Sequence, residues 1–199
     1  MKKTLAVIAL VVAILVPSTA SAAIDLLRTK SKVAVIVDMP LMYGDEDKLE
    51  EEIIEKVNEW FPSNKYDVID FNETRTLAVE YREENDMIIY TENTKEYKPL
   101  KITDIQEMLK EQQPDLVLNI RFARGAGKTV WTAWSRRTKI NVLTDIRVLD
   151  FKNSNYVQRY QKTEAVGSGD MWGNTSASRS FRKGIVAAME GFVPDHTKY

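Results

Sequence analysis

The chain of 199 residues contains no cysteine and a single histidine, His196. The missing cysteine rules out the acylated residue that anchors bacterial lipoproteins, and with it disulfides and thiolate metal sites. One histidine cannot build a two-histidine zinc site. A Ser-His-Asp or Cys-His hydrolase would need His196 itself as its base. His196 follows Pro194 in segment 194–199, which reads as a flexible C-terminal tail. No apolar run reaches the roughly 20 residues that a membrane-spanning helix needs. Charge of one sign is lacking too: 28 basic residues stand against 29 acidic ones, so nothing favours nucleic acid or an anionic membrane in general.

The twelve apolar residues from Leu5 to Val16 form a shorter run. Lys2 and Lys3 precede it, and the small residues Ala20 and Ala22 follow with the spacing that signal peptidase accepts. Residues 1–22 therefore read as a signal peptide, and the mature chain begins near Ala23 or Ile24. The protein is expected to be exported, periplasmic or extracellular, with no stable membrane span after cleavage. Without Lys2 and Lys3, 26 basic residues face 29 acidic ones, a net charge near −3. Lacking disulfides, the domain must hold itself together with an ordinary apolar core, for which its length is ample.

Residues 24–193 read as one globular domain with no internal repeat. Val33-Ala34-Val35-Ile36-Val37 is an apolar, β-branched run and predicts a buried strand. In segment 45–60, Leu49, Ile53, Val57 and Trp60 fall on one helical face, with Asp45, Glu46 and Asp47 in the first turn and Pro62 beyond the end. The acidic run Glu50-Glu51-Glu52 reads as a solvated helix face. Segment 65–71 predicts a second strand. Asn72 is placed to cap a helix reaching Glu84, with Leu77 and Tyr81 inward. Met87-Ile88-Ile89-Tyr90 predicts a short extended piece. Thr103 and Gln106 match a capping box for a helix over 103–112 with Ile105, Met108 and Leu109 inward. Segments 115–122, 140–150 and 156–166 predict three more strands. A closing helix spans 176–190, with Phe181, Ile185 and Met189 inward and Gly191 and Pro194 stopping it.

The order is β-α-β-α-(α)-β-β-β-α. It implies an α/β (α+β) fold with a single mixed sheet and helices packed on its faces. Strands 33–38, 66–71 and 115–122 should be parallel neighbours, with 140–150 antiparallel to the third.

Gly125-Ala126-Gly127-Lys128-Thr129 resembles the end of a phosphate-binding loop. The full motif needs glycine where Phe122 stands, and it needs a helix where Val130, Trp131 and Trp134 follow. The stretch reads instead as a flexible hairpin loop, and no cofactor is expected. From Arg121 to Lys139 there is no acid. Arg121, Arg124, Lys128, Arg136, Arg137 and Lys139 alternate with Trp131 and Trp134. Cations beside aromatics suit a protein partner or an anionic polymer. Arg121, Arg124, Lys128, Trp131, Trp134, Arg136 and Arg137 are therefore the candidate partner-binding residues. Equally, the tryptophans could pack on the sheet and leave solvated bases around them. Acids are plentiful enough for a carboxylate-pair hydrolase, but no pair stands out.

The run 33–37, the amphipathic helix after it and Asn64-Lys65-Tyr66-Asp67-Val68-Ile69-Asp70 together resemble a family of bacterial envelope domains. The family includes the outer-membrane activator of a penicillin-binding protein, the periplasmic domain of the curli secretion channel and the N-terminal domain of the Tol–Pal propeller protein. Pro114-Asp115-Leu116-Val117-Leu118, the step Val148-Leu149-Asp150 and the closing helix extend the resemblance to Glu190. It implies a non-catalytic role in envelope assembly or regulation, through an envelope protein or anionic polymer. It supplies no site residues. The chain departs from the lipid-anchored relatives in having no cysteine, and its segment 81–102 is longer and more polar.

Overall fold

A computed structural model describes residues 30–39, 46–90, 95–131, 136–170 and 177–199. The expected signal peptide lies outside these residues, as does Trp134. Among the described residues seven strands and four helices follow one another: β1 Ser31–Asp38, α1 Glu46–Trp60, β2 Tyr66–Val68, α2 Phe71–Glu84, β3 Ile88–Tyr90, β4 Lys95–Tyr97, α3 Ile102–Met108, β5 Leu116–Trp131, β6 Arg136–Asp150, β7 Asn155–Asp170 and α4 Ala177–Met189. All belong to one compact unit, Ser31–Tyr199.

Five strands form a mixed sheet in the order β2-β1-β5-β6-β7. β1 runs parallel to both β2 and β5, while β5, β6 and β7 make an antiparallel meander. This is the fold class and the pairing that the sequence predicts. The β1 residues alternate between two cores because each face of the sheet carries helices. Val33 and Val35 join Leu49, Ile53, Val57 and Trp60 of α1 and Phe181, Ile185 and Met189 of α4. Ala34 and Ile36 join Ala78 of α2 and Ile105 of α3 on the other face. A strand buried on both faces reads as a continuous apolar run, as β1 does.

Several boundaries differ from expectation. The second strand stops at Val68 because the chain turns into α2 at Phe71. Asp70, not Asn72, caps α2: its Oδ1 accepts from the Asn72 and Glu73 N–H groups. The buried side of α2 is Thr74, Ala78 and Arg82, one position round from Leu77 and Tyr81, which are half-buried. Thr74 takes that place by donating its hydroxyl to Val35 O at 2.8 Å. α3 is shorter than predicted. It begins after Lys101, whose N–H donates to Asp104 Oδ2 at 2.7 Å, so the expected Thr103–Gln106 box does not form its start. The extended piece at Met87 pairs with a strand the sequence did not suggest, making the β3–β4 hairpin.

The largest correction concerns segment 125–129. It is strand, not loop. β5 runs unbroken to Trp131 and pairs with β6 as far as Arg136. Between Arg124 and Gly127 the register slips by one residue, a β-bulge. Gly127 permits the close approach: a Cβ there would lie 2.9 Å from Ile140 Cγ2. The second glycine-rich stretch, Gly167-Ser168-Gly169, is also strand, within β7 and opposite residues 137–139. Segment 194–199, read as a tail, lies against the domain. Tyr66 Oη and His196 Nδ1 are 2.8 Å apart, and Tyr199 approaches the Phe61 ring.

Candidate functional site

β1 ends at Asp38, paired with Arg121 of β5, while β5 continues for ten more residues. The chain leaves β1 toward β2 on one side and leaves β5 toward β6 on the other. A crevice opens where neighbouring strands send their chains apart, at the carboxyl ends of those strands, and such crevices commonly hold ligands. Here a cavity of about 170 Å³ lies at the carboxyl end of β1, against the middle of β5, lined by Asp38, Met39, Glu96, Tyr97 and residues 121–124.

The floor of the site is a buried ion pair. Asp38 and Arg82 are 5% and 2% exposed, and Arg82 Nη2 donates to Asp38 Oδ1 at 2.5 Å. α2 brings Arg82 to this position because Thr74, Ala78 and Arg82 share the face that meets the sheet. Tyr97, from β4, lies over the guanidinium, with Arg82 Cζ 4.8 Å from the ring centroid. Among the described residues Arg82 Nε has no hydrogen-bond partner. Burial pushes the Asp38 carboxyl above its ordinary value, while Arg82 and, after it, Arg121 pull in the opposite direction. Sequence reasoning missed Arg82 and Asp38 because a charged residue within a helix or at a strand end reads as solvated. The spacing of Arg82 from Ala78 and Thr74 was the available signal.

The structure divides the predicted binding residues. Arg121 and Arg124 line the cavity. Lys128 is exposed farther along β5, and its cross-strand neighbour is Lys139, also exposed. The backbones of Trp131, Arg136 and Arg137 lie in the same ribbon, with Trp131 opposite Arg136 and Val130 opposite Arg137. The strand that follows Gly127-Lys128 stands where a phosphate loop needs a helix N-terminus, so the geometry of a nucleotide site is not built here. The cavity does gather two acids, Asp38 and Glu96. Asp38 is already held by Arg82, so these two are not the free carboxylate pair that a glycosidase uses. Among the described residues no group of acids and histidine is arranged to hold a metal ion. No helix among them is long and apolar enough to cross a membrane.

No protein-family model matches the chain. No curated protein matches it in sequence. Solved structures similar to it include a lipoprotein from Neisseria meningitidis, 14% identical at TM-score 0.40, the match covering 80% of this chain and 95% of that one. A hypothetical protein from Chlamydia trachomatis is also 14% identical at TM-score 0.40, covering 81% and 92%. The C-terminal domain of LpoB from Salmonella enterica is 5% identical at TM-score 0.32, covering 69% and 85%. At these values the likeness is loose.

Proposed function

We propose that this protein is an exported, non-catalytic envelope domain that binds a protein or anionic polymer partner in envelope assembly or regulation. The observation that carries the reading is the position of the cations. Arg124, Lys128 and Lys139 are exposed on a ribbon that extends past the end of β1, and no acid interrupts the sequence between Arg121 and Lys139. A rigid scaffold presenting charged side chains beyond its core is suited to recognition. Export rests on the N-terminal sequence alone. The non-catalytic reading is supported by the cavity itself, whose most buried acid is neutralised by a buried arginine.

Affinity capture from native envelope, with the tagged exported chain and its Arg124→Glu/Lys128→Glu variant compared side by side, tests this. The reading expects a specific partner on the parent protein that is lost from the variant, while both melt at nearly the same temperature. Equal capture by both, or no specific capture by the parent, would sink it.

A further inference from the structure

Around the cavity at the end of β1, hydrogen-bond donors outnumber acceptors. Arg82 lies behind it, 2% exposed, and donates through Nη2 to Asp38. Its Nε is buried and, among the described residues, has no hydrogen-bond partner. A buried donor without a partner is uncommon and marks a place short of acceptors. Arg121 and Arg124 line the cavity itself, and among the described residues neither enters an ion pair. The ladder fixes where Arg121 stands, because it is the register partner of Asp38.

Two acids oppose these cations. Asp38 is buried and already neutralised by Arg82. Arg121 also acts on the Asp38 carboxyl, lowering it against the effect of burial, so its charge is felt at the cavity floor. Glu96 remains, one exposed negative charge against Arg121 and Arg124. The balance is a single positive charge in a small recess. A cation would meet a field of its own sign, and a dianion would carry more charge than the recess offsets. The rest of the wall includes Met39, Ala123 and the Tyr97 ring, which suit an aliphatic group. A volume of about 170 Å³, against about 30 Å³ for each water in the liquid, gives space for about six non-hydrogen atoms. Nucleotides and hexoses are larger than that.

We infer that the cavity is a carboxylate-binding site: it takes one carboxylate on a short aliphatic body, with Arg121 and Arg124 donating to the carboxylate oxygens. A planar guanidinium matches a carboxylate in a two-bonded fork. The buried Asp38–Arg82 pair holds the floor without competing, because Arg82 already occupies the acid that faces Arg121. Such a carboxylate has two sources, a free short-chain acid and the C-terminus of a peptide. The site goes beyond the partner-binding reading, which concerns the exposed cations along the ribbon. It shares Arg124 with that reading, and Lys128 lies outside it.

The test titrates the exported chain at constant ionic strength with four probes: butyrate, its neutral isostere butyramide, inorganic phosphate, and acetyl-Gly-Gly-Val with a free carboxyl end. Binding is read from proton–nitrogen correlation spectra. Butyrate should shift the Arg121 Nε–H and the Ala123 amide saturably, and bind at least about tenfold tighter than butyramide or phosphate. Arg121→Gln should weaken butyrate at least about tenfold. Glu96→Gln should tighten it about two- to fivefold, as removal of one exposed opposing charge allows. Lys128→Glu should leave it unchanged. If Arg121→Gln fails to fold, the Glu96→Gln gain and the butyrate–butyramide ratio still decide. The tripeptide bound as well as butyrate or better assigns the carboxylate to a chain end, and weaker binding assigns it to a free acid. No saturable shift with butyrate would overturn the inference. So would equal binding of butyramide, tighter binding of phosphate, or a folded Arg121→Gln that binds as the parent does. Absence of specific capture from the envelope would remove the partner-binding reading and leave this site standing.

Discussion

β5 is two strands in one. From Leu116 to Arg121 it has β1 on one side, β6 on the other and helices over both faces, and Leu116, Val117, Leu118, Ile120 and the adjoining Phe122 are all buried. From Arg124 to Val130 every residue is exposed, although the ladder to β6 continues. The hydrogen bonds to β6 run through both halves, so the difference lies in cover. Where helices close both faces, the sequence is an apolar run. Where they do not, it turns to glycine, alanine and lysine. β6 stays under cover longer, since Ile140 and Val142 are buried beneath α4. The edge nearest the end of β1 is therefore the part left bare.

If the first half carries the stability, breaking it should cost most. The Asp38–Arg82 pair is its deepest charged contact. Arg82→Ala would leave Asp38 buried without its counter-charge, and urea unfolding should show a loss of about 3–5 kcal/mol. Asp38→Leu combined with Arg82→Met should recover most of that loss, because an apolar pair of similar volume avoids the desolvation cost altogether. A double variant as unstable as Arg82→Ala alone would assign the pair a role beyond charge balance.

The next effect lies at the junction of the two halves. Gly184 of α4 faces Val142 of β6 and Val166 of β7 so closely that an added Cβ would collide with both. Gly184→Ala should cost about 1–3 kcal/mol by overpacking, and calorimetry should show a lowered melting temperature. The gain in helix propensity from replacing glycine is at most about 1 kcal/mol and works against this loss. A variant more stable than the parent would mean α4 can lift away from the ribbon without penalty.

The covered half was largely legible in the sequence, and the bare half was not. β1, the amino-terminal part of β5, and the stripes of α1 and α4 are apolar because they are enclosed, and periodicity reports enclosure. Arg82 escaped because periodicity treats every charge as solvated. The distal part of β5 escaped for a different reason. Gly125 and Gly127 read as a turn, whereas in the fold the residues between Arg124 and Gly127 form a bulge within an unbroken strand. A bulge and a turn draw on the same residue types, and only the cross-strand register separates them. The cap of α2 was misplaced by two residues because Asp70 and Asn72 can both accept from helix N–H groups. As for the site, the sequence named Arg121 and Arg124 among its candidate cations, and it could not show that β1 ends beside them and that a cavity opens there.

A smaller effect should appear at the amino end of the covered half, where Asp115 ties three strands. Its N–H donates to Lys32 O, its Oδ2 accepts from Lys32 N–H, and its backbone oxygen accepts from Phe151 N–H. Lys152 Nζ lies 2.7 Å from Oδ1. Burial raises this carboxyl, but the bonds from Lys152 and Lys32 outweigh it and hold the carboxyl below its ordinary value. A carboxylate depressed in the folded state stabilises above its unfolded value, near pH 4, and loses that contribution as pH falls through the folded value. Lys152 is largely exposed, so the loss should stay under about 1 kcal/mol. Asp115→Asn should flatten this acid dependence in urea titrations as pH falls below about 4, the ordinary carboxyl value of the unfolded chain. An unchanged acid limb in Asp115→Asn would move its origin elsewhere.

The smallest effect belongs to the bare half. Lys128 is exposed, and its cross-strand neighbour Lys139 carries the same charge, so removing one of two like charges relieves a repulsion instead of breaking a bond. Lys128→Glu should therefore shift unfolding free energy by no more than about 0.5 kcal/mol, and toward greater stability if toward either. Native-state hydrogen exchange sharpens the contrast. The amides of Leu116–Phe122 should exchange only through global unfolding, while those of residues 125–130 open locally at lower free energy, because few buried apolar groups resist their separation. In Lys128→Glu the distal amides should become slightly better protected and the proximal ones should not change. If Lys128→Glu instead lowers the melting temperature markedly, or if both halves of β5 exchange at one common rate, the two halves are a single cooperative unit. The ribbon would then be part of the core's stability, and its cations would be structural.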